Sequence, residues 1–255
     1  MKDRVATLAG IDAGVAGIQS AVDVGAAWRR PQSPPLLTGF DNSNVDAIEV
    51  LDEAASKRFI AENGVPVPPG HVVGSEDAVE AAELLGYPVV LKALGVAHKT
   101  DVGGVQLGLA DAHAVSDAVA EMSDLSVSFL VERMVQGVVA ELIVGVARDE
   151  QFGPYLLVGG GGILVEMMRD SVSLLLPTTN ERVLEAFSKL KCAPLLKGFR
   201  GAPPADLEAA VGAIMAISAM VENDPETIVE LDVNPLIMLP KGLGVVAADA
   251  LICLN

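Results

Sequence analysis

Glu230-Leu231-Asp232-Val233-Asn234-Pro235-Leu236 alternates polar and apolar side chains up to its proline, and the rest of the chain is read outward from it. On a strand, successive side chains point to opposite faces, so Glu230, Asp232 and Asn234 share one face while Leu231 and Val233 turn to a core. Upstream, Leu207, Val211, Ile214, Ile217 and Val221 recur at helical spacing, which predicts a long helix over 206–221 with one apolar stripe. Downstream, 245–251 reads as a second strand. Further back, 141–147, 154–158, 163–166 and 172–176 are short apolar runs parted by turn residues, the pattern of an antiparallel sheet. Helices segregated from such a sheet give an α+β (α/β) protein.

The first half has a different rhythm. Asp52 caps a helix that carries Ala55, Phe59 and Ile60 and stops at Gly64. Ser75 caps a second helix over 76–85, Gly86 stops it, and Pro88-Val89-Val90-Leu91-Lys92 follows as a buried strand. Residues 104–109 give another strand, Asp111 caps a helix with Val115 and Val119 on one face, and 127–132 is apolar strand again. Two lobes are expected, 46–125 and 126–255, joined near 125–135. Before them, 1–45 is Ala- and Gly-rich up to Trp28 and then reads Arg29-Arg30-Pro31-Gln32-Ser33-Pro34-Pro35, a linker that ends any helix.

Composition narrows the function. At about 150 residues per domain, 255 residues give one large domain or a two-lobed one. Lys plus Arg total 17 and Asp plus Glu 34, so the net charge is 17 − 34 = −17, which repels phosphate backbones and anionic lipid. Nucleic acid and membrane surfaces are therefore poor partners. The longest uncharged runs, such as 209–221, stop short of the roughly 18 residues that span a bilayer. Lys2 and Arg4 precede an apolar stretch, but Asp12 and Asp23 interrupt it and no cleavage pattern follows, so a soluble, cytoplasmic chain is expected. Cys192 and Cys253 have no metal-like or redox-like spacing and read as core thiols. An apolar content of 51% and a mean hydropathy of +0.46 fit a surface partly covered by a partner.

There is no P-loop, no dinucleotide fingerprint and no hydrolase elbow. Four polar features remain. Lys92 ends an apolar strand, where it either holds nucleotide phosphates or snorkels to solvent. His98-Lys99-Thr100-Asp101-Val102-Gly103-Gly104 joins a histidine able to accept a phosphoryl group near pH 7 to glycines whose N–H groups can approach an anion. The Glu230, Asp232, Asn234 face is either a solvated acidic face or an oxygen-ligand set for a hard cation such as Mg²⁺. Asp249, alone among apolar residues, favours the cation, since a buried acid needs a partner. Gly159-Gly160-Gly161-Gly162 is a lid or only a turn before 163–166.

In this order, these segments resemble the ATP-grasp domain of the ADP-forming acyl-CoA synthetases, relatives of the succinyl-CoA synthetase β chain. The resemblance covers about 46–255 and is carried by Gly86-Tyr87-Pro88-Val89-Val90-Leu91-Lys92, the His98 to Gly104 loop, Gln151-Phe152-Gly153-Pro154 and Glu230 to Leu236. It implies two lobes clasping ATP or ADP. Lys92, with the Gly103-Gly104 backbone, would contact phosphate. Val131-Glu132-Arg133-Met134-Val135 would line the adenine, with Glu132, Met134 and Val135 at the nucleotide and Glu141 near the ribose. Asn234 and Asp249, with Asp232 beside them, match the family's magnesium ligands. His98 matches a histidine thought to relay a phosphoryl group between a partner's phosphohistidine segment and ADP. Residues 1–45 resemble the tail of a CoA-ligase region, so the acid and CoA are expected to enter through a CoA-binding partner chain. The resemblance departs at Ser173-Leu174-Leu175-Leu176, where many relatives carry an arginine; Arg169 or Arg200 is the nearest substitute. The alternative reading keeps the fold as a non-catalytic nucleotide-binding regulatory module of an enzyme such as an acyltransferase.

Overall fold

The computed structural model describes residues 10–29, 48–96, 99, 102–162 and 170–255, and the chain divides at residue 35 into an N-terminal unit and a main unit. The first contains helix α1 (Ile11–Ala27), followed by Trp28 at its C-cap. The proline linker lies outside the described residues.

The main unit opens with a short strand, β1 (Glu49–Leu51), and helix α2 (Glu53–Glu62). Next comes a small sheet built from β2 (Gly70–Gly74), β3 (Val89–Ala93), β4 (Val105–Leu109) and β5 (Ser128–Arg133), with helices α3 (Ala78–Leu85) and α4 (Ala112–Glu121) between its strands. Its order is β2-β5-β3-β4, antiparallel throughout. Ala78, Ala82 and Leu85 of α3 and Val115 and Ala118 of α4 pack on Val89, Leu91, Phe129 and Val131. The larger sheet takes β6 (Ala140–Asp149), β7 (Gly153–Gly160), β8 (Ser171–Leu175), β9 (Ile228–Met238), β10 (Val245–Ala247) and β11 (Ala250–Leu254). It runs β1-β11-β9-β6-β7-β8 with β10 also on β9, again antiparallel. Helices α5 (Asn180–Lys189), α6 (Ala193–Leu196) and α7 (Leu207–Asn223) supply Val183, Phe187, Leu196, Ile214, Ile217 and Val221 to a core against Leu142, Val144, Leu156, Leu231 and Val233. This is the α+β layering expected from the strand and helix patterns. β1 and α2 precede the small sheet in the chain, yet β1 pairs with 252–254 of β11 and α2 packs on the same strand.

Local chemistry explains the boundaries. Asp52 accepts a hydrogen bond from the Ala55 N–H at 2.7 Å and Asp111 from the Ala114 N–H at 2.9 Å, so both cap their helices as their positions suggest. Ser75 does not cap: a turn closed by the Asp77 N–H on the Gly74 carbonyl takes up Ser75 and Glu76, and α3 starts two residues later than expected. The expected strand over 245–251 is broken, because 245–247 pairs with 236–238 of β9 while 250–254 pairs with 228–233. Between those stretches β9 carries a bulge against β6, with Asn234 and Pro235 facing the single residue Ile143. Proline has no N–H for the ladder, which confines it to such positions. Gly159 and Gly160 belong to β7 rather than to a loop. The expected strand over 163–166 lies outside the described residues.

Asp206 links two elements. Its Oδ1 accepts from the Ala209 N–H, capping α7, while Oδ2 accepts from the N–H groups of Gly242 and Gly244 at 2.8 and 3.0 Å, closing the turn between β9 and β10. Asp206→Ala is therefore expected to cost about 2–4 kcal/mol in urea unfolding, against about 1 kcal/mol for Asp111→Ala, which loses a cap alone. Equal losses would show that the turn bonds contribute nothing.

Candidate functional site

The site grows from an unusual helix. Glu53, Ser56, Lys57 and Ile60 fall at i, i+3, i+4 and i+7, a core-facing pattern, and all four are buried. The expected face, Ala55 and Phe59 with Ile60, is only half-buried apart from Ile60. Two charged residues thus occupy core positions, and they face two more from the small sheet: Glu53 is 7%, Lys57 4%, Lys92 6% and Glu132 3% exposed. Burying charge is costly unless it is paired. Here every group is paired across the two sheets. The Lys57 ammonium donates to both Glu132 oxygens at 2.7 and 2.6 Å and lies 2.8 Å from Glu53 Oε1. Lys92 Nζ donates to Glu53 Oε1 at 2.5 Å and to the Ala248 carbonyl at 2.7 Å, and lies 3.1 Å from Glu132 Oε2. Lys99 reaches Glu53 Oε2 and, at 2.9 Å, Asp249 Oδ2.

Beside this network opens a cleft of about 660 Å³, walled by Leu51, Val96 and Leu251 and lined by Glu53, Lys99, Asp232, Asn234 and Asp249. Asp232 and Asn234 come from one face of β9, as the alternation implies; Glu230, also on that face, is exposed and does not line the cleft. Asp232 stands over Gly145 of β6, where a Cβ would sit 3.8 Å from its Oδ1. The bulge sets Asn234, and its N–H donates to the Asp249 carbonyl at 3.3 Å while the Ala248 N–H donates to Pro235, so both candidate ligands are carried by one crossing of backbone.

The other candidates fall elsewhere. His98 lies outside the described residues. Gly103 has a positive φ of 77°, and a Cβ on Gly104 would meet the Lys99 carbonyl at 3.0 Å. The Gly104 N–H donates to that carbonyl and its own carbonyl accepts from Ala93. The paired glycines thus fold this segment back on β3, which places Lys99. Glu132 turns its carboxylate into the network. Met134 and Val135 follow β5 in the connection to β6 and are half-buried; the Met134 N–H donates to the Pro88 carbonyl. Glu141 lies near the start of β6, its carbonyl accepting from Gly161 N–H, and a Cβ on Gly161 would meet Glu141 at 3.0 Å. Met134, Val135 and Glu141 do not line the cleft. Arg200 is exposed and stacks over Phe199; Arg169 lies outside the described residues.

Glu53 and Lys57 are not among the candidates that the sequence offers, and Lys99 figures there only as a charge within the His98 to Gly104 loop. A Glu and a Lys four apart usually mark a solvated helix face; the overlooked signal was their register with Ser56 and Ile60.

Electrostatics follow from these contacts. Burial raises the Glu53 carboxyl, but the Lys92, Lys57 and Lys99 ammoniums outweigh it and hold it at about 2. Burial lowers Lys92, and Glu53, Glu132 and Asp249 more than reverse this, so its proton is held more tightly than usual. Lys57 goes the other way: burial and the neighbouring Lys92 lower it in spite of the two carboxylates. Among the described residues no three Asp, Glu, His or Cys side chains cluster as a metal site. Asp232, Asn234 and Asp249 offer two carboxylates and an amide on one cleft, an all-oxygen set that fits Mg²⁺, which keeps several waters and shares its shell with phosphate.

Residues 44–254 match the ATP-grasp domain family. The chain is 38% identical over 221 residues to a trans-feruloyl-CoA synthase of an unknown prokaryotic organism, with 81% of this chain aligned but only 31% of that enzyme, so it spans about a third of that relative's length. It is 31% identical to the beta subunit of the ADP-forming acetate–CoA ligase II of Pyrococcus furiosus, covering 80% of this chain and 91% of that subunit. A solved structure of acetyl-coenzyme A synthetase 1 from Ca. Korarchaeum cryptofilum, in complex with coenzyme A and Mg-AMPPCP and with its phosphohistidine segment pointing towards the nucleotide binding site, superposes with a TM-score of 0.70. It is 36% identical and covers 80% of this chain and 92% of that one. Among the described residues of the present chain no helix is long and apolar enough to cross a membrane.

A carboxyl held below its unfolded value stabilises the fold above that unfolded value, near pH 4.3, and ceases to do so as pH falls toward 2. Glu53→Gln is expected to be less stable than the parent by about 3–5 kcal/mol at pH 7, because buried ammoniums lose a partner. Chemical unfolding from pH 6 to 2 should show this gap closing on the acid side. A gap constant over that range would mean that Glu53 is not ionised in the fold.

Proposed function

The chain belongs to the ATP-grasp domain family, and from that premise we propose that it is the nucleotide-binding subunit of an ADP-forming acyl-CoA synthetase. The reaction is acid + ATP + CoA ⇌ acyl-CoA + ADP + Pi, and this subunit moves the phosphoryl group between a phosphohistidine and ADP. The observation that carries this reading is that an oxygen-ligand set and the Lys99 ammonium line one cleft, with the buried Lys92 and Lys57 ammoniums held against Glu53, which lines it too. Phosphoryl transfer is mostly a matter of positioning and of neutralising negative charge, and cations with oxygen ligands for a metal are what it needs.

In this reading Lys92 contacts phosphate from the end of β3, and the Gly103-Gly104 backbone lies at the same end of the small sheet. Asp232, Asn234 and Asp249 hold Mg²⁺, which when bound would neutralise charge on the transferring phosphates. The Val131 to Val135 segment lines the adenine, with Glu141 at the ribose. The Glu132 carboxylate faces Lys57 and Lys92, so its part is to hold cations rather than to reach the base. His98, directly before Lys99, relays the phosphoryl group. The relatives named as beta subunits imply a companion chain, and we assign to it the CoA and acid sites and the phosphohistidine segment.

Calorimetric titration with ATP and ADP, with and without Mg²⁺, tests the reading. Lys92→Ala is expected to weaken Mg-ATP binding by about 10- to 100-fold, the loss of one or two charge-assisted hydrogen bonds. Asn234→Ala and Asp249→Ala should abolish the tightening by Mg²⁺ while leaving metal-free binding in place. Wild-type affinity in the Lys92 variant would remove the phosphate site. If the chain with a CoA-binding partner, acyl-CoA, ADP and phosphate makes ATP, it is a synthetase subunit; altered partner activity without ATP would make it a regulatory module.

A further inference from the structure

If Lys92 contacts phosphate, as proposed above, its ammonium must leave acceptors that it already holds. Glu53 Oε1 at 2.5 Å and the Ala248 carbonyl at 2.7 Å accept hydrogen bonds from it, and Glu132 Oε2 lies 3.1 Å away as an ion-pair partner. Turning toward a nucleotide therefore takes a cation away from two buried carboxylates. Unpaired, each would carry a heavy desolvation cost. One other group touches both: Lys57 lies 2.8 Å from Glu53 Oε1 and 2.6 and 2.7 Å from the Glu132 oxygens. Neither Lys57 nor Lys92 lines the cleft and both are almost wholly buried, but Lys92 also reaches the Ala248 carbonyl, next to Asp249 in the cleft wall, whereas among the described residues Lys57 contacts the two carboxylates alone, so it is placed to serve the carboxylates and not the ligand. Lys99 provides further charge at Glu53 but makes no contact with Glu132.

We propose that Lys57 is a positioning residue for phosphate binding: the resident counter-ion that keeps Glu53 and Glu132 paired and so lets Lys92 exchange a protein acceptor for a phosphate oxygen. This rests on the reading of Lys92 given above. With Lys57 present, the four groups balance at two positive and two negative, and Lys92 leaves behind acids that still have a cation. Without Lys57, Lys92 becomes the one cation touching Glu132 among the described residues and the principal one shared by both acids, and a phosphate must compete with both at once. A structural brace would make a different prediction, since its loss would lower stability without depending on how many acids remain.

The test is Mg-ATP titration of the full chain by calorimetry, with unfolding curves measured beside it. Lys57→Met is expected to bind Mg-ATP about tenfold more weakly, a coupling typical of contacting charged groups. Lys57→Gln, which keeps a donor for Glu132 but no charge, should show the same loss and serves if the methionine variant does not fold. Lys57→Met/Glu53→Gln, which removes one acid with the cation, should recover most of the affinity even if its stability stays low. Wild-type affinity in the single variants, or no recovery in the double variant, overturns the proposal. Absence of binding by the parent chain overturns the nucleotide reading, and the role of Lys57 falls with it.

Discussion

Four charged side chains buried between two sheets set the terms for the rest of this molecule. Glu53 and Lys57 reach out from α2 on the large-sheet side, and Lys92 and Glu132 from neighbouring strands of the small sheet. Since none can be left unpaired without a penalty of several kcal/mol, the relative position of the sheets is constrained by charge as well as by apolar contact. The two hydrophobic cores lie elsewhere, each between a sheet and its own helices. The buried ion pairs are thus one of the links that join the halves.

The large sheet contributes its candidate ligands by a local irregularity. A regular β9 would alternate smoothly past Val233; instead the Asn234-Pro235 bulge adds a residue opposite Ile143 and divides the last strand into β10 and β11. Asp249 sits in that break, tied through its carbonyl to the Asn234 N–H. The Ala248 carbonyl, one residue away, accepts from Lys92, so the same break that presents an acid to the cleft also receives a cation from the other sheet. A bulge is a compact way to place two oxygen-bearing side chains and a carbonyl acceptor together without a long loop.

Much of this was legible in the sequence, and for identifiable reasons. The caps at Asp52 and Asp111, the strand ending in Lys92 and the shared face of Asp232 and Asn234 all depend on short-range chemistry that a linear pattern displays. Long-range pairing was not legible. A three-residue β1 has no periodicity to read, so nothing near Glu49 says that it will pair with Leu254. The break at Ala248 follows from the register of β9, which sets where each half of the strand can pair. The charged face of α2 was not legible either, because burial of Glu53 and Lys57 is decided by partners 39 and 75 residues away.

Those distant partners also say something about why the charges are there. Apolar residues of similar size would satisfy packing between the sheets as well or better, since buried ion pairs seldom stabilise a fold relative to hydrophobic replacements. Cohesion alone is therefore a weak reason for a lysine at position 57. A set of ammoniums with more than one possible acceptor has another property: its members can exchange partners at modest cost, provided that the acids left behind keep a cation. Lys99 stands where the network meets the cleft, while Lys92 and Lys57 are buried within the network, Lys92 reaching the Ala248 carbonyl beside Asp249. On the proposed function, an incoming polyphosphate finds cations already gathered and their counter-charges already shared, so binding becomes a rearrangement of ion pairs rather than the creation of new ones.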